Sequence, residues 1–309
     1  MLGLRTGCLM LALYLIQSVE GATEQTGPLK MTTPPAKLVA TPSSPRLQDF
    51  LAAFELKSGT ETADRDYFDR MVAADDVFEN DQFLNPLELE LAREVVERLR
   101  DVEAFVGHGR FTTLNFEAVF KHSAGLASRR LTVADIRFLR DIFNRSSESL
   151  GFNGPRISNQ FLAGHAQEAL IFYPKYGEYL LSGDAIEQFE RLEAEFGSSV
   201  MLTSGYRGHP KQMLLYLEKV VEAQGNLSLA SRNRAPAGYS FHFIGDFDVG
   251  DVALGEQSFS RRFLKTAIYQ SMVRAGWVKW RYPSHNLLGV RFEPWHIASV
   301  CDEIACSGG

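Results

Sequence analysis

The chain has 309 residues, a formal net charge of −6 and 45% apolar residues. That length suits one large domain or two moderate ones, with ample material for a buried core. The mild acidic balance provides no basic field for a polyanion, which argues against nucleic acid as a partner.

Arg5 is the only charge among the first nineteen residues, and the apolar run Cys8–Ile16 is short. A membrane-spanning helix needs about 20 such residues. A short apolar run followed by small residues at Gly21 and Ala22 reads as a secretory signal peptide over 1–21. The expectation is an exported protein, periplasmic or secreted, with no membrane span after signal cleavage. Residues 22–45 are rich in Thr, Pro, Ser and Ala, a linker composition too poor in large apolar residues to pack.

Residues 46–160 read as an all-helical accessory domain. Asn85-Pro86-Leu87-Glu88 combines a capping residue, a proline at the first helical position and a glutamate three residues after the cap. Leu87, Leu91, Val95, Leu99 and Val102 follow at helical spacing. Thr132 opens a second helix with Ile136, Leu139 and Phe143 on its inner face. His108 and His122 are isolated here and read as structural or solvated residues.

From 161 to 309 the pattern changes. Asp184 starts a helix with Ile186, Phe189, Leu192 and Phe196 facing inward, and Gly197 ends it. A buried strand is expected at 200–203 and a helix from Pro210 to Ala223. Extended segments are expected around 240–249, 277–280 and 288–292, with a helix over 260–275 stopped by Gly276. Strands and helices mix without βαβ alternation, so the fold class is α+β, with a small, largely antiparallel sheet and flanking helices. Cys301 and Cys306 form either a disulfide or two separate thiols. The oligomeric state is left open.

Three short motifs carry chemistry: Ser204-Gly205-Tyr206-Arg207, then Ser240-Phe241-His242 running on through Gly245 to Asp246 and Asp248, then Glu293-Pro294-Trp295-His296. A catalytic zinc site takes three protein ligands and keeps one position open. His242, one aspartate and His296 supply the three. Glu293 is then free to move protons, because Pro294 breaks the alternation that would turn it away from His296. Arg207 offers a fixed positive charge for an oxyanion or a carboxylate. A straight strand of six residues spans about 20 Å, too far for two ligands of one zinc. The chain must therefore bend at Gly245, which sets Asp248 opposite His242 and makes it the favoured ligand. Asp246 is the alternative metal ligand, and Asp251 stands behind both. His209 and His285 read as surface residues, Gln212 as a support for Arg207, and Trp295 as a packing residue.

In order and content these motifs resemble the VanY-type zinc D-alanyl-D-alanine carboxypeptidases, within the wider group of lysostaphin-type peptidases and the hedgehog signalling domain. The resemblance covers roughly residues 165–300. It implies a D-Ala-D-Ala carboxypeptidase/hedgehog-like core, a Zn2+ cofactor on His242, Asp248 and His296, and Glu293 as general base. It also implies that Arg207 stabilises the tetrahedral intermediate and that Ser240 helps hold the terminal carboxylate of a peptidoglycan peptide. The family places its aspartate seven residues after the histidine, whereas Asp248 follows His242 by six and position 249 is Val. Hydrolysis of D-Ala-D-Ala is the leading expectation. L,D-carboxypeptidase activity, cross-link endopeptidase activity and a non-catalytic peptidoglycan-binding module are the alternatives.

Overall fold

The computed structural model describes residues 61–299. The expected signal peptide, the linker, the first residues of the helical region and both C-terminal cysteines lie outside the described residues.

Among the described residues five α-helices come first: α1 (Glu61–Val72), α2 (Pro86–Val106), α3 (His108–Thr113), α4 (Phe116–Ala124) and α5 (Val133–Asn144). The start of α2 is fixed by a reciprocal cap. Asn85 Oδ1 accepts from the Leu87 and Glu88 backbone amides, and the Glu88 carboxylate accepts from the Asn85 backbone amide. Thr132 and Asp135 repeat the device at α5. The buried face of α2 begins one turn later than its spacing predicts. Leu87 is 84% exposed, while Val95, Leu99 and Val102 are fully buried.

The second half holds a hairpin of β1 (Leu170–Tyr173) and β2 (Glu178–Leu181), then α6 (Asp184–Phe196), β3 (Val200–Ser204), α7 (His209–Glu222) and α8 (Leu227–Asn233). β4 (Phe247–Asp251), α9 (Ala267–Ala275) and β5 (His296–Ile297) follow. Strands β3, β4 and β5 form an antiparallel sheet in that order. Its register sets Asp248 opposite Ser204 on one side and opposite His296 on the other.

Several expected segments are shorter or differently shaped. The stretch 240–249 opens with a 3-10 turn over Phe241–Ile244 before β4 begins. The helix expected over 260–275 is a 3-10 turn over Phe263–Lys265 and α-helical only from Ala267, because Thr266 takes an extended backbone and caps the Tyr269 amide through its hydroxyl. Of 277–280, only Trp280 bridges to Ile297. Residues 288–292 form no strand. Gly289 has φ +84°, and the Arg291 amide is spent on the Arg232 carbonyl of α8.

Two apolar clusters organise the packing. The first joins Val95, Leu99, Phe111, Phe116, Leu139 and Phe143 of the early helices to Leu214 and Leu217 of α7, and to Tyr239, Phe241 and Tyr282. Residues on both sides of the 160/161 division thus share one core. The second gathers Phe189 and Leu192 of α6, Leu202, Phe247 and Val249 of the sheet, Met272 of α9, Trp295 and Ile297. Among the described residues, no helix is long and apolar enough to cross a membrane.

Candidate metal centre

The seam between the two clusters is where the motif residues meet. Phe241 is anchored in the helical cluster and Phe247 in the sheet cluster, so the chain between them must turn. It turns at Gly245, with φ +114° and ψ −4°, and a Cβ there would stand 3.1 Å from the Ser299 hydroxyl. Only glycine adopts that backbone without strain. The turn brings His242 back to Asp248, and β5 delivers His296 to the same point.

The three side chains each offer one ligand atom within 4.8 Å of the others, and all three residues are buried. His242 Nε2 lies 3.4 Å from Asp248 Oδ2, and His296 Nδ1 lies 3.2 Å from Asp248 Oδ1. Ligands ~2.0–2.1 Å from a tetrahedral zinc sit roughly 3.3 Å apart, which is close to both histidine–aspartate spacings. Asp248 Oδ1 is buried without a well-directed hydrogen bond, which leaves an acceptor in need of a cation. The donor atoms border a space of about 20 Å³, enough for one ion or water.

Each imidazole is held by its other nitrogen. His242 donates from Nδ1 to the Gly205 carbonyl at 2.8 Å. His296 donates from Nε2 to Asp246 Oδ2 at 3.1 Å. Both are the supports expected behind metal-binding histidines, and each leaves the ligating nitrogen aimed inward. Gly205 is required at its position, since a Cβ would stand 1.9 Å from the Tyr179 carbonyl oxygen. The Gly205 amide in turn donates to buried Glu178 at 3.2 Å.

Asp246, the expected alternative ligand, stands behind His296 rather than beside the ion position. Its carboxylate accepts from Arg281 Nε and Nη2, from His296 Nε2 and from the Ser299 amide. Both oxygens are taken, which removes it from the ligand set. Asp251 lies at the far end of β4, paired with Val200, and caps the Ala253 amide.

Charge follows from these contacts. Burial pushes the His242 pKa down, with Arg207 adding to the effect, so its imidazole stays neutral and able to ligate. Burial opposes charge on His296 too, but hydrogen bonds to Asp246, Asp248 and Glu293 hold its pKa well above the usual histidine range. A point that demands positive charge this strongly is one a metal cation satisfies. Burial alone would raise the Asp246 carboxyl; the Arg281 charge and the bonds from His296 and Arg281 hold it low instead.

Glu293 is brought to the site without joining the triad, its Oε2 3.5 Å from His296 Nδ1. Arg207 donates to Ser204 Oγ at 2.8 Å, to Asp248 Oδ2 at 2.6 Å and to Gln212 Oε1 at 3.4 Å. Three of the five N–H groups of a guanidinium are thereby used and two remain. Gln212 is itself anchored by donating to the Ala235 carbonyl, so it supports Arg207 as expected. Ser240 is buried and lines the same space. Trp295 packs in the sheet cluster and also lines the space.

Other residues differ from expectation or were not foreseen. His209 is buried, not at the surface: its ring stacks on Phe243 at 4.1 Å and its Nε2 meets Ser158 Oγ. His285 is exposed, as expected. Arg281, Tyr282 and Glu178 belong to the site's support, with the Tyr282 ring 4.8 Å from that of His296. No motif spacing marks them, because they meet the site through tertiary contacts alone.

Residues 180–302 match the family model described as VanY, D-alanyl-D-alanine carboxypeptidase. No curated protein matches the chain. Among solved structures, VanYB in complex with D-alanine-D-alanine is 27% identical over 44% of this chain and 79% of its own, with a TM-score of 0.34. A mutant of the VanY D,D-pentapeptidase from a VanB-type vancomycin resistance cassette, in complex with Zn(II), is 26% identical over 41% of this chain and 76% of its own, at a TM-score of 0.32. The LD-carboxypeptidase LdcB is 25% identical over 38% and 70%, at 0.26.

Proposed function

Residues 180–302 belong to the VanY D-alanyl-D-alanine carboxypeptidase family, and from that premise we propose that the chain is a zinc-dependent enzyme that removes the terminal D-alanine from peptidoglycan peptides. The observation that carries the reading is the convergence of His242, Asp248 and His296, each imidazole fixed from behind, with Glu293 beside them and unused as a ligand.

In this reading His242 Nε2, an Asp248 oxygen and His296 Nδ1 hold the ion. Zinc, when bound, supplies Lewis acidity, enough to make hydroxide accessible at a pH of ~7. The rest falls to the protein's own groups. Glu293 takes the proton of the attacking water and returns it to the leaving amine of D-alanine. Arg207 turns its remaining N–H groups to the oxyanion that forms at the scissile carbonyl. Ser240 donates to the terminal carboxylate. The buried walls exclude bulk water, which strengthens each of these interactions. Export to the periplasm or beyond is proposed from the apolar N-terminal run, and it places the enzyme where its substrate is.

The test combines metal content with turnover of a pentapeptide ending in two D-alanines. One zinc per chain, release of D-alanine, loss with a chelator, and loss of about 10²–10⁴-fold in Glu293→Gln with zinc retained are the expected results. A zinc-loaded protein that binds the peptide and never cleaves it makes the chain a binding module. Release only from peptides that have already lost the last D-alanine makes it an L,D-carboxypeptidase.

A further inference from the structure

Asn233, Arg234, Glu293 and Trp295 line both the ion-sized space and a larger cavity of about 200 Å³ along α7. Arg234 thus borders the two. It is the residue that ends α8, with its amide still bonded to the Ala230 carbonyl at 2.8 Å and its backbone already extended at φ −146° and ψ 113°. The helix end therefore fixes where this side chain starts, and the chain runs directly on toward Ser240 and His242.

The charges around the larger cavity are matched, with one clear exception. Glu218 is held by Arg100 at 2.8 Å, and Lys219 by Glu222 at 2.9 Å. Arg291 reaches Asp75 only at 3.4 Å, and its Nε is buried without a hydrogen-bond partner. Arg234 has no ion pair and no side-chain hydrogen bond among the described residues. Arg207 already has the Asp248 carboxylate at 2.6 Å, and Glu293, which also lines both spaces, faces His296 at 3.5 Å, so neither carboxylate is paired with Arg234.

We propose that Arg234 is a specificity-determining residue that binds a carboxylate on the acyl side of the scissile bond, so that the preferred substrate carries an acidic residue just before its two terminal D-alanines. The proposal rests on the carboxypeptidase reading and names the substrate class of that same site. The side follows from size. A carboxypeptidase releases one small residue as its leaving group, and of the two spaces that Arg234 borders only the larger has room for residues of the remaining peptide. A guanidinium pairs with a planar carboxylate through two parallel hydrogen bonds, which a carboxamide cannot match in charge or in acceptors.

Two peptides test this, identical except that glutamate or glutamine precedes D-Ala-D-Ala. The unmodified protein is expected to favour the glutamate peptide by about tenfold in kcat/KM, the difference lying in KM, as one charge-assisted pair provides. Arg234→Gln is expected to bring the two peptides within about twofold of each other, and Arg234→Lys to restore part of the gap. The second readout is calorimetric binding of both peptides to chelated protein, where the same preference and the same loss are expected. If hydrolysis occurs but neither peptide is preferred, or if Arg234→Gln keeps the preference, the proposal is overturned while the enzyme reading stands. If neither peptide is cleaved but chelated protein still discriminates through Arg234, the carboxylate site stands and the enzyme reading falls. Equal weakening of both peptides in Arg234→Gln places Arg234 on the terminal carboxylate instead and overturns the acyl-side assignment.

Discussion

The helical and sheet sides of the seam hold one imidazole each, and they do it differently. On the helical side, His242 follows Phe241 and is oriented by a neutral backbone carbonyl, that of Gly205. On the sheet side, His296 lies between Trp295 and Ile297 and is oriented by a buried carboxylate, Asp246, itself locked by Arg281. A carbonyl fixes a tautomer and adds little charge. A carboxylate fixes it and makes the imidazole more basic. The result is one neutral histidine and one strongly cation-seeking position about the same aspartate. The sheet side should therefore contribute more to metal affinity than the helical side.

Replacing Asp246 with Asn breaks the comparison where it is sharpest. The change removes the buried carboxylate that accepts two hydrogen bonds from Arg281, at a cost of about 3–5 kcal/mol in stability. It also removes the anionic support of His296, so zinc affinity of the folded protein should fall by about 10–100-fold. Denaturant unfolding and a zinc-competition titration read the two effects separately. Unchanged zinc affinity in a folded Asp246→Asn protein would show that the two imidazoles are equivalent after all.

Leu99→Ala makes the opposite test in the helical cluster. Leu99 is fully buried on α2 and touches none of the ligands, so a cost of about 2–5 kcal/mol is expected from lost burial and the cavity left behind. Zinc affinity measured well inside the folded range should shift by less than about twofold, because distant sites are close to additive. A large loss of affinity would mean that the helical side tunes the metal as well as the fold.

How much of this was legible in advance depends on how local each signal is. The caps at Asn85 and Thr132 are read within four residues, and both form as their sequences indicate. The triad was legible because glycine at 245 requires a bend, and a bend there leaves Asp248 as the residue that returns to His242. The part played by Asp246 was not legible. Its partners Arg281, His296 and Ser299 lie 35 to 53 residues away, and no spacing rule joins them. His209 was misread for the same reason: a histidine one residue before a helical proline looks exposed until Phe143 and Phe243 close over it. The helical region looked separate because it carries no motif, yet it supplies the wall on which Phe241 rests.

His209 offers a pH test on the helical side that leaves the ligands alone. Burial, aided by Arg156 and His165, lowers its pKa to about 3 from an ordinary 6.5. The folded protein thus resists a proton that the unfolded chain accepts below about pH 6.5. This group's contribution is complete above that pH and is lost as pH falls toward 3. At pH 4.5 the loss is on the order of 3 kcal/mol. His209→Phe keeps an aromatic ring against Phe243 and cannot titrate. The difference in stability between the two proteins should move in favour of the variant as pH drops from 7 to 4.5. A constant difference over that range would mean that the imidazole protonates freely in the folded state.

The smallest effect isolates the early helices from everything else. Asn85→Ala removes the acceptor for the Leu87 and Glu88 amides at the start of α2. It also leaves Glu88 to hold the Asn85-position amide alone while still paired with Arg145 of the next helical layer. Loss of an N-cap costs about 1 kcal/mol. That cost should appear as a lower denaturant midpoint with an unchanged slope, since the unfolded chain exposes the same surface. Zinc affinity and turnover should be untouched, because the cap lies at the far end of a helix whose buried face begins a turn later. If turnover falls together with the midpoint, α2 transmits strain to the seam, and the helical side reaches the metal site even from its most distant point.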